Sequence, residues 1–259
     1  MKPAAFTYHR ARTTAGAVGL LTELGDDAKV IAGGQSLVAM MNFRLARPEH
    51  LVDITHLEGL AGIRRDGDAL RLGALTTHRA VEKADLGDFA VLSRAMRWVG
   101  HLPIRTRGTV GGSIAHADAA AEWCLLAVLL DARIRAEGPS GVREIRAVDF
   151  FRGPFTTALQ PDELIVEVVF PRPAPRAALT EYADRRGDFA LVAAAVDLDA
   201  ERVVLGGVAP TPVLVERAGT AEEIAGALEL RDEPGISAHY RRGLVRTLVQ
   251  RARKEASRG

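Results

Sequence analysis

The sequence has one cysteine, Cys124, in 259 residues. That excludes a disulfide framework, and it excludes a four-thiolate metal or iron–sulfur site housed by this chain alone; a reducing cytoplasm is the expected compartment. Neither sign of charge is in excess: 34 basic residues stand against 33 acidic ones, a net charge of +1. A main partner of nucleic acid calls for a basic surplus to meet phosphate, so that class is set aside. No apolar run reaches the ~18 residues needed to span a bilayer. Residues 1–24 lack the long apolar stretch of a secretory leader. The seven histidines show neither H-x-H nor H-x-x-x-H spacing, so no metal site is expected. No G-x-S-x-G elbow points to a hydrolase, and no segment repeats at a solenoid period.

What is present is an apolar fraction of 47%, enough for one large domain or two ordinary ones. "TTAGAVGLLTELGDDA" has Ala17, Val18, Leu20, Leu21 and Leu24 near helical spacing and stops at Gly25. "KVIAGG" and "EHLVDITHL" read as short strands. A strand, an Asp66-Gly67 turn, a second strand and a helix capped at Thr76 or Thr77 follow. Residues 89–99 carry a helical stripe of Val91, Leu92, Ala95, Met96 and Val99. "AAAEWCLLAVLLDA" is apolar all round, the pattern of a buried helix, which makes Cys124 a core thiol. "ARIRAEGPSGVREIRAVDFF" reads as a hairpin and "DELIVEVVFP" as a strand ended by Pro171. A proline-rich break, "PRPAPRAAL", reads as a linker. Beyond it two strands, "FALVAAAVDLD" and "ERVVLGGVA", and two helices predict a smaller α+β domain. Its last helix, within "RRGLVRTLVQRARKEASRG", reads as a solvated or subunit-contacting face rather than an RNA arm.

Two segments share a grammar: Ala32-Gly33-Gly34-Gln35-Ser36 and Thr109-Val110-Gly111-Gly112-Ser113. Glycine permits positive φ and leaves no Cβ to obstruct a ligand. Successive backbone N–H groups in such turns form a concave anion nest, and Ser36, Thr109 and Ser113 add hydroxyls. Two such turns meeting in space would cradle a pyrophosphate. Neither fits the G-x-G-x-x-G or P-loop pattern, and either alone is also an ordinary tight turn. Arg105 and Arg107 flank the second segment and could face phosphate, solvent or a partner. His78 reads as a helix-start or surface residue.

Six motifs in order, "AGGQSL", "LVDI", "LRLGALTTH", "IRTRGTVGGSIAHADAAAE", "DELIVEV" and "RRGDFALVAAAV", resemble the FAD-binding medium subunit of the molybdenum hydroxylases, the carbon monoxide dehydrogenase and xanthine dehydrogenase type. The resemblance spans nearly the whole chain. It implies an α+β fold: a two-lobed FAD-binding domain of the vanillyl-alcohol-oxidase type over residues 1–174, then a small α+β domain over 175–259. It implies FAD as the cofactor. Ala32, Gly33, Gly34, Gln35 and Ser36 match the first pyrophosphate loop, and Thr109, Gly111, Gly112 and Ser113 the second. His116 falls near the flavin ring or ribityl chain. Glu122 stands where the family usually has an aspartate that hydrogen-bonds the adenosine side. Leu164 and Ile165 match residues lining the isoalloxazine, and Phe189 is a neighbour of the ring. Two partners are implied, a small subunit with 2Fe–2S clusters and a large subunit with molybdopterin, assembled as a dimer of heterotrimers. No acid–base catalytic residue is assigned here, because the flavin supplies the redox chemistry. Several relatives carry a lysine just before the Arg-Arg of "YADRRGDF"; Tyr182 and Asp184 occupy this stretch, which disfavours NAD as acceptor. A stand-alone flavin reductase or oxidase of the same fold, and a non-catalytic nucleotide-binding module, stay open as alternatives.

Overall fold

The computed structural model describes residues 2–258. The first lobe is a parallel three-stranded sheet with helices beside it. Strand β1 (Thr7–Arg10) leads to helix α1 (Thr14–Leu24), then β2 (Ala28–Ile31), α2 (Leu37–Asn42) and β3 (His50–Asp53). The sheet order is β1-β3-β2, with β3 between two parallel neighbours. Helix α1 starts where the Thr13 hydroxyl accepts from the Gly16 N–H, satisfying an end group that would otherwise lack a partner. Its apolar stripe, Ala17, Val18 and Leu21, packs with Val52 and Ile54 of the β3 segment.

The second lobe holds a five-stranded antiparallel sheet, order β4-β5-β10-β6-β7. Its elements run β4 (Ile63–Asp66), β5 (Ala69–Gly73), α3 (His78–Lys83), α4 (Ala90–Ala95), α5 (Leu102–Arg107), α6 (Val110–His116), α7 (Glu122–Leu129), β6 (Arg133–Gly138), β7 (Gly141–Arg146), α8 (Ala147–Phe150), β8 (Phe151–Gly153), β9 (Thr156–Thr157) and β10 (Leu164–Phe170). All eight residues of α7 are buried, as its uniformly apolar sequence predicts. Cys124 is a buried free thiol there.

The last unit is an antiparallel sheet of β11 (Ala177–Tyr182), β12 (Val192–Asp197), β13 (Arg202–Gly206) and β14 (Val213–Glu216), followed by α9 (Ala221–Gly226) and α10 (Ala238–Ala256). One face of its sheet packs on α9 and α10 through Val192, Ala194, Val196, Val203 and Leu205. The other face, Ala177, Leu179, Ala193, Ala195 and Val204, belongs to the same core as Trp123 and Leu125 of α7. So α10 is a core helix of this unit, burying Val245, Leu248, Val249 and Ala252. The proline-rich run is shorter as a linker than its composition predicts. Strand β11 begins at Ala177, two residues past Pro175, because three prolines punctuate the chain but nothing beyond Pro175 removes a ladder donor.

Candidate functional site

The first glycine segment meets the residues that lead into the second, and the two share one cleft. A Cβ on Gly33 would overlap the carbonyl oxygen of Arg107 and stand 2.7 Å from its carbonyl carbon and 2.9 Å from Gly108 Cα. Glycine at 33 is therefore what lets one backbone lie on the other. Gly34 has φ +71°, the left-handed region that favours glycine. Between the segments opens a cleft lined by Ala32, Gly33, Thr55, Leu75, Thr77, Arg107 and Thr109. Of the residues assigned from sequence, Ala32, Gly33 and Thr109 line it, while Gly34, Gln35 and Ser36 continue the first turn.

The two sides differ in what they leave unpaired. The backbone N–H groups of Gly33, Gly34, Gln35 and Ser36 donate to no acceptor among the described residues. The Gln35 amide holds the turn instead, donating from Nε2 to the Gly33 carbonyl at 3.0 Å. Four successive half-buried donors without acceptors form the kind of nest that takes an anion.

On the other side the donors are taken, which corrects the expectation of two equivalent nests. Val110 N–H donates to Thr76 O at 3.0 Å, Gly111 N–H to Ala74 O at 2.9 Å, and Ser113 N–H to Thr109 O at 3.0 Å. Gly112 N–H donates to Thr109 Oγ1 at 3.1 Å, the N-cap bond of α6. The physical reason is that this segment is a helix start pinned to the turn at 74–77 between β5 and α3, with Thr77 and Thr109 bridged. A Cβ on Gly111 would stand 2.6 Å from Ala74 Cβ, so this glycine serves close packing. Gly112 has ordinary helical backbone and is exposed. Thr109 keeps its hydroxyl hydrogen to donate, since it only accepts from Gly112.

The two arginines separate. Arg105 is bound to Glu82 Oε2 at 3.1 Å and to the carbonyls of Val99 and Gly100. Arg107 lines the cleft and pairs with no carboxylate among the described residues. Thr55 is fixed by Asp53, whose Oδ1 accepts from the Thr55 N–H at 2.8 Å and the Thr55 hydroxyl at 2.6 Å. Burial opposes ionisation of Asp53, but these bonds and one from Tyr8 outweigh it and hold the carboxyl below its usual range. Thr55, Leu75, Thr77 and Arg107 were not singled out as cleft residues from sequence. Arg107 was read as able to face phosphate, solvent or a partner and Thr77 as a possible helix cap; for Thr55 and Leu75 only adjacency to "LVDI" and "LGALTTH" hinted at the cleft.

The remaining assigned residues lie elsewhere. Leu164 and Ile165 open β10 and are 3% and 5% exposed. Both are core residues that do not line the cleft: Leu164 backs it from the cluster that also holds Leu75, and Ile165 belongs to the larger core around α7. His116 ends α6, half-buried, its ring 5.0 Å from that of Phe155; burial lowers its pKa, partly offset by Asp118. Glu122 begins α7, 8% exposed, and burial pushes its carboxyl up to about 7, with Asp118 adding to the rise. Phe189 is 57% exposed. His78 starts α3 as read, capped by Thr77, but it is buried rather than surface.

Residues 4–173 match the family described as the FAD binding domain in molybdopterin dehydrogenase. Over 99% of its length the chain is 39% identical to the 6-hydroxypseudooxynicotine dehydrogenase complex subunit alpha of Paenarthrobacter nicotinovorans, covering 96% of that protein. It is 36% identical to the carbon monoxide dehydrogenase medium chain of Afipia carboxidovorans over 85% of this chain and 80% of the other. The fold superposes on carbon monoxide dehydrogenase from Hydrogenophaga pseudoflava with a TM-score of 0.91 at 31% identity, covering 100% of this chain and 99% of that one. A cleft with an open amide nest on one side, a capped helix start on the other and a family match over both is one result: the chain belongs to the FAD-binding domain family of the molybdopterin dehydrogenases.

Proposed function

We propose that this chain is the electron-transfer flavoprotein subunit of a molybdenum-containing hydroxylase, with residues 1–174 as the FAD-binding unit and 175–259 as its C-terminal unit. The observation that carries the reading is the run of four unpaired N–H groups at Gly33–Ser36, which begins at the cleft that Gly33 lines together with Thr109. The pyrophosphate is assigned to that nest, held also by the Ser36 and Thr109 hydroxyls and by the charge of Arg107. Gly111 and Gly112 place the helix start that carries Thr109, and Ser113 extends the same side. His116 is assigned to the flavin end and Glu122 to the adenosine end, with Leu164 supporting the cleft from behind and Ile165 in the core around α7. When bound, FAD accepts electrons singly and releases them in pairs; the chain's own part is to bind, orient and shield it.

The partners are a small subunit with 2Fe–2S clusters and a large subunit with molybdopterin, as a dimer of heterotrimers in the cytoplasm. The single cysteine fits this division, since clusters of the four-thiolate type need ligands this chain lacks. Among the described residues no helix is long and apolar enough to cross a membrane.

The test is colour and uptake. Purified chain takes up FAD and turns yellow, and denaturation releases the flavin. Arg107→Gln weakens FAD binding by about 10- to 150-fold, as loss of a charge-assisted hydrogen bond of about 1.5–3 kcal/mol implies. Colourless protein that ignores added FAD would sink the reading.

A further inference from the structure

His78 is not among the residues that line the cleft, yet three contacts place it behind one side of it. Its backbone N–H donates to Gly108 O at 3.0 Å. The Cδ2–Nε2 edge of its ring occupies the space a Cβ on Gly108 would need, 2.8 Å from that position. Its Nδ1 accepts from the indole Nε1–H of Trp123 at 3.0 Å, with both rings buried. Gly108 in turn lies between Arg107 and Thr109, which line the cleft, and it is one of the groups on which Gly33 rests.

The chemistry of these contacts fixes a proton. An indole N–H only donates, so Nδ1 of His78 must present its lone pair. Burial, with the nearby Arg105 charge, lowers the imidazole pKa to about 4, so the ring is neutral at pH 7. A neutral imidazole with a bare Nδ1 carries its hydrogen on Nε2. The rings lie 6.2 Å apart and 25° from parallel, one rigid unit anchored in α7. Trp123, His78, Gly108 and Gly33 thus lie in line, each against the next.

We propose that His78, locked by Trp123 as the Nε2–H tautomer, is a positioning residue that sets the separation of the two glycine segments and so the fit of the FAD pyrophosphate. This rests on the reading of the cleft as the FAD site. The ring's shape supports Gly108, and the tautomer keeps the ring from turning.

The test has two arms on the full chain. In the first, ¹⁵N NMR of ring-labelled histidine reports the tautomer: His78 shows an unprotonated Nδ1 and a protonated Nε2 at pH 7. A Trp123→Phe variant loses that single state. In the second, FAD affinity is read by flavin fluorescence. His78→Gln, which keeps an acceptor and a polar edge, stays within about threefold of the parent. His78→Ser, which leaves a gap behind Gly108, weakens FAD tenfold or more. Gly108→Ala weakens FAD in the parent and costs less in the His78→Ser background, because the ring that crowds the added methyl at 2.8 Å is gone and only the Ile104 carbonyl, 3.0 Å away, still presses on it. That coupling is read even where a single variant lowers the melting temperature. An Nδ1–H tautomer, or additive effects of Gly108→Ala and His78→Ser, overturns the proposal. Parent chain that binds no FAD overturns the cleft reading instead, while the NMR arm still judges the tautomer.

Discussion

At the scale of the residue, two glycines in similar motifs do different work. Gly33 is forced by backbone: a methyl there meets the Arg107 carbonyl and Gly108 Cα, neither of which can swing aside. Gly33→Ala is expected to cost about 1–3 kcal/mol, as overpacking does, and to weaken FAD at least tenfold by parting the two segments. Gly112 meets only the Thr109 hydroxyl, 2.8 Å from where its Cβ would stand, and its backbone is helical. Gly112→Ala therefore has the smaller effect on FAD, and a pair of fluorescence titrations ranks the two. A larger loss at Gly112 would contradict the assignment. The sequence pattern marks both glycines as special but not the reason. The partner that makes Gly33 necessary lies 74 positions away, at Arg107, and no local pattern encodes it. By contrast a cap at Thr76 or Thr77 and a turn near Asp66-Gly67 were readable, because their physics is local; the structure puts the cap at Thr77 and the two turn residues one position on, at Gly67-Asp68.

At the scale of the element, legibility follows the strength of the period. Helix α1, the β6–β7 hairpin and the buried α7 stand where composition and spacing put them. Helices α5 and α6 did not emerge, since each has six or seven residues and they sit among glycines and arginines that suggest loop. Strand β11 was hidden by the prolines before it and by an alanine-rich start with little β-branching. Helix α10 shows that an arginine-rich surface can still cover a core: Leu248 is 1% exposed against the sheet. Leu248→Ala is expected to cost about 2–5 kcal/mol, read as a lower melting temperature. FAD affinity measured well below that temperature stays within about threefold, since Leu248 sits in the core away from the cleft.

At the scale of the whole molecule, the C-terminal unit shares its inner face with the FAD-binding lobe. Across that sheet Glu181, Ala193 and Gly206 sit opposite one another, hence on one face. Gly206 lies against Ala119, Ala120 and Leu125, the segment leading into and along α7, where Glu122 sits. Glu181 Oε2 is buried without a hydrogen-bond partner among the described residues. Burial, then the Glu122 charge, raises the Glu181 carboxyl to about 8, with Arg97 opposing. Both folded values exceed the unfolded one, about 4.3, so the native state holds more protons between roughly pH 4.3 and 8. Stability is then highest at the acid end of that window and falls as pH rises through it. Glu181→Gln removes most of that fall, measured as the difference in melting temperature between pH 6 and pH 9; an unchanged difference would clear the pair of responsibility. The unequal sides of the cleft carry one more consequence. Amide hydrogens at 110–113 are bonded within the protein, whereas those at 33–36 have no acceptor among the described residues. In hydrogen exchange the free chain should therefore lose label fast from one side only, and bound FAD should slow that side alone. In amide exchange the expected mark of the cofactor is therefore confined to the turn at 33–36, although side chains from both segments are assigned to it.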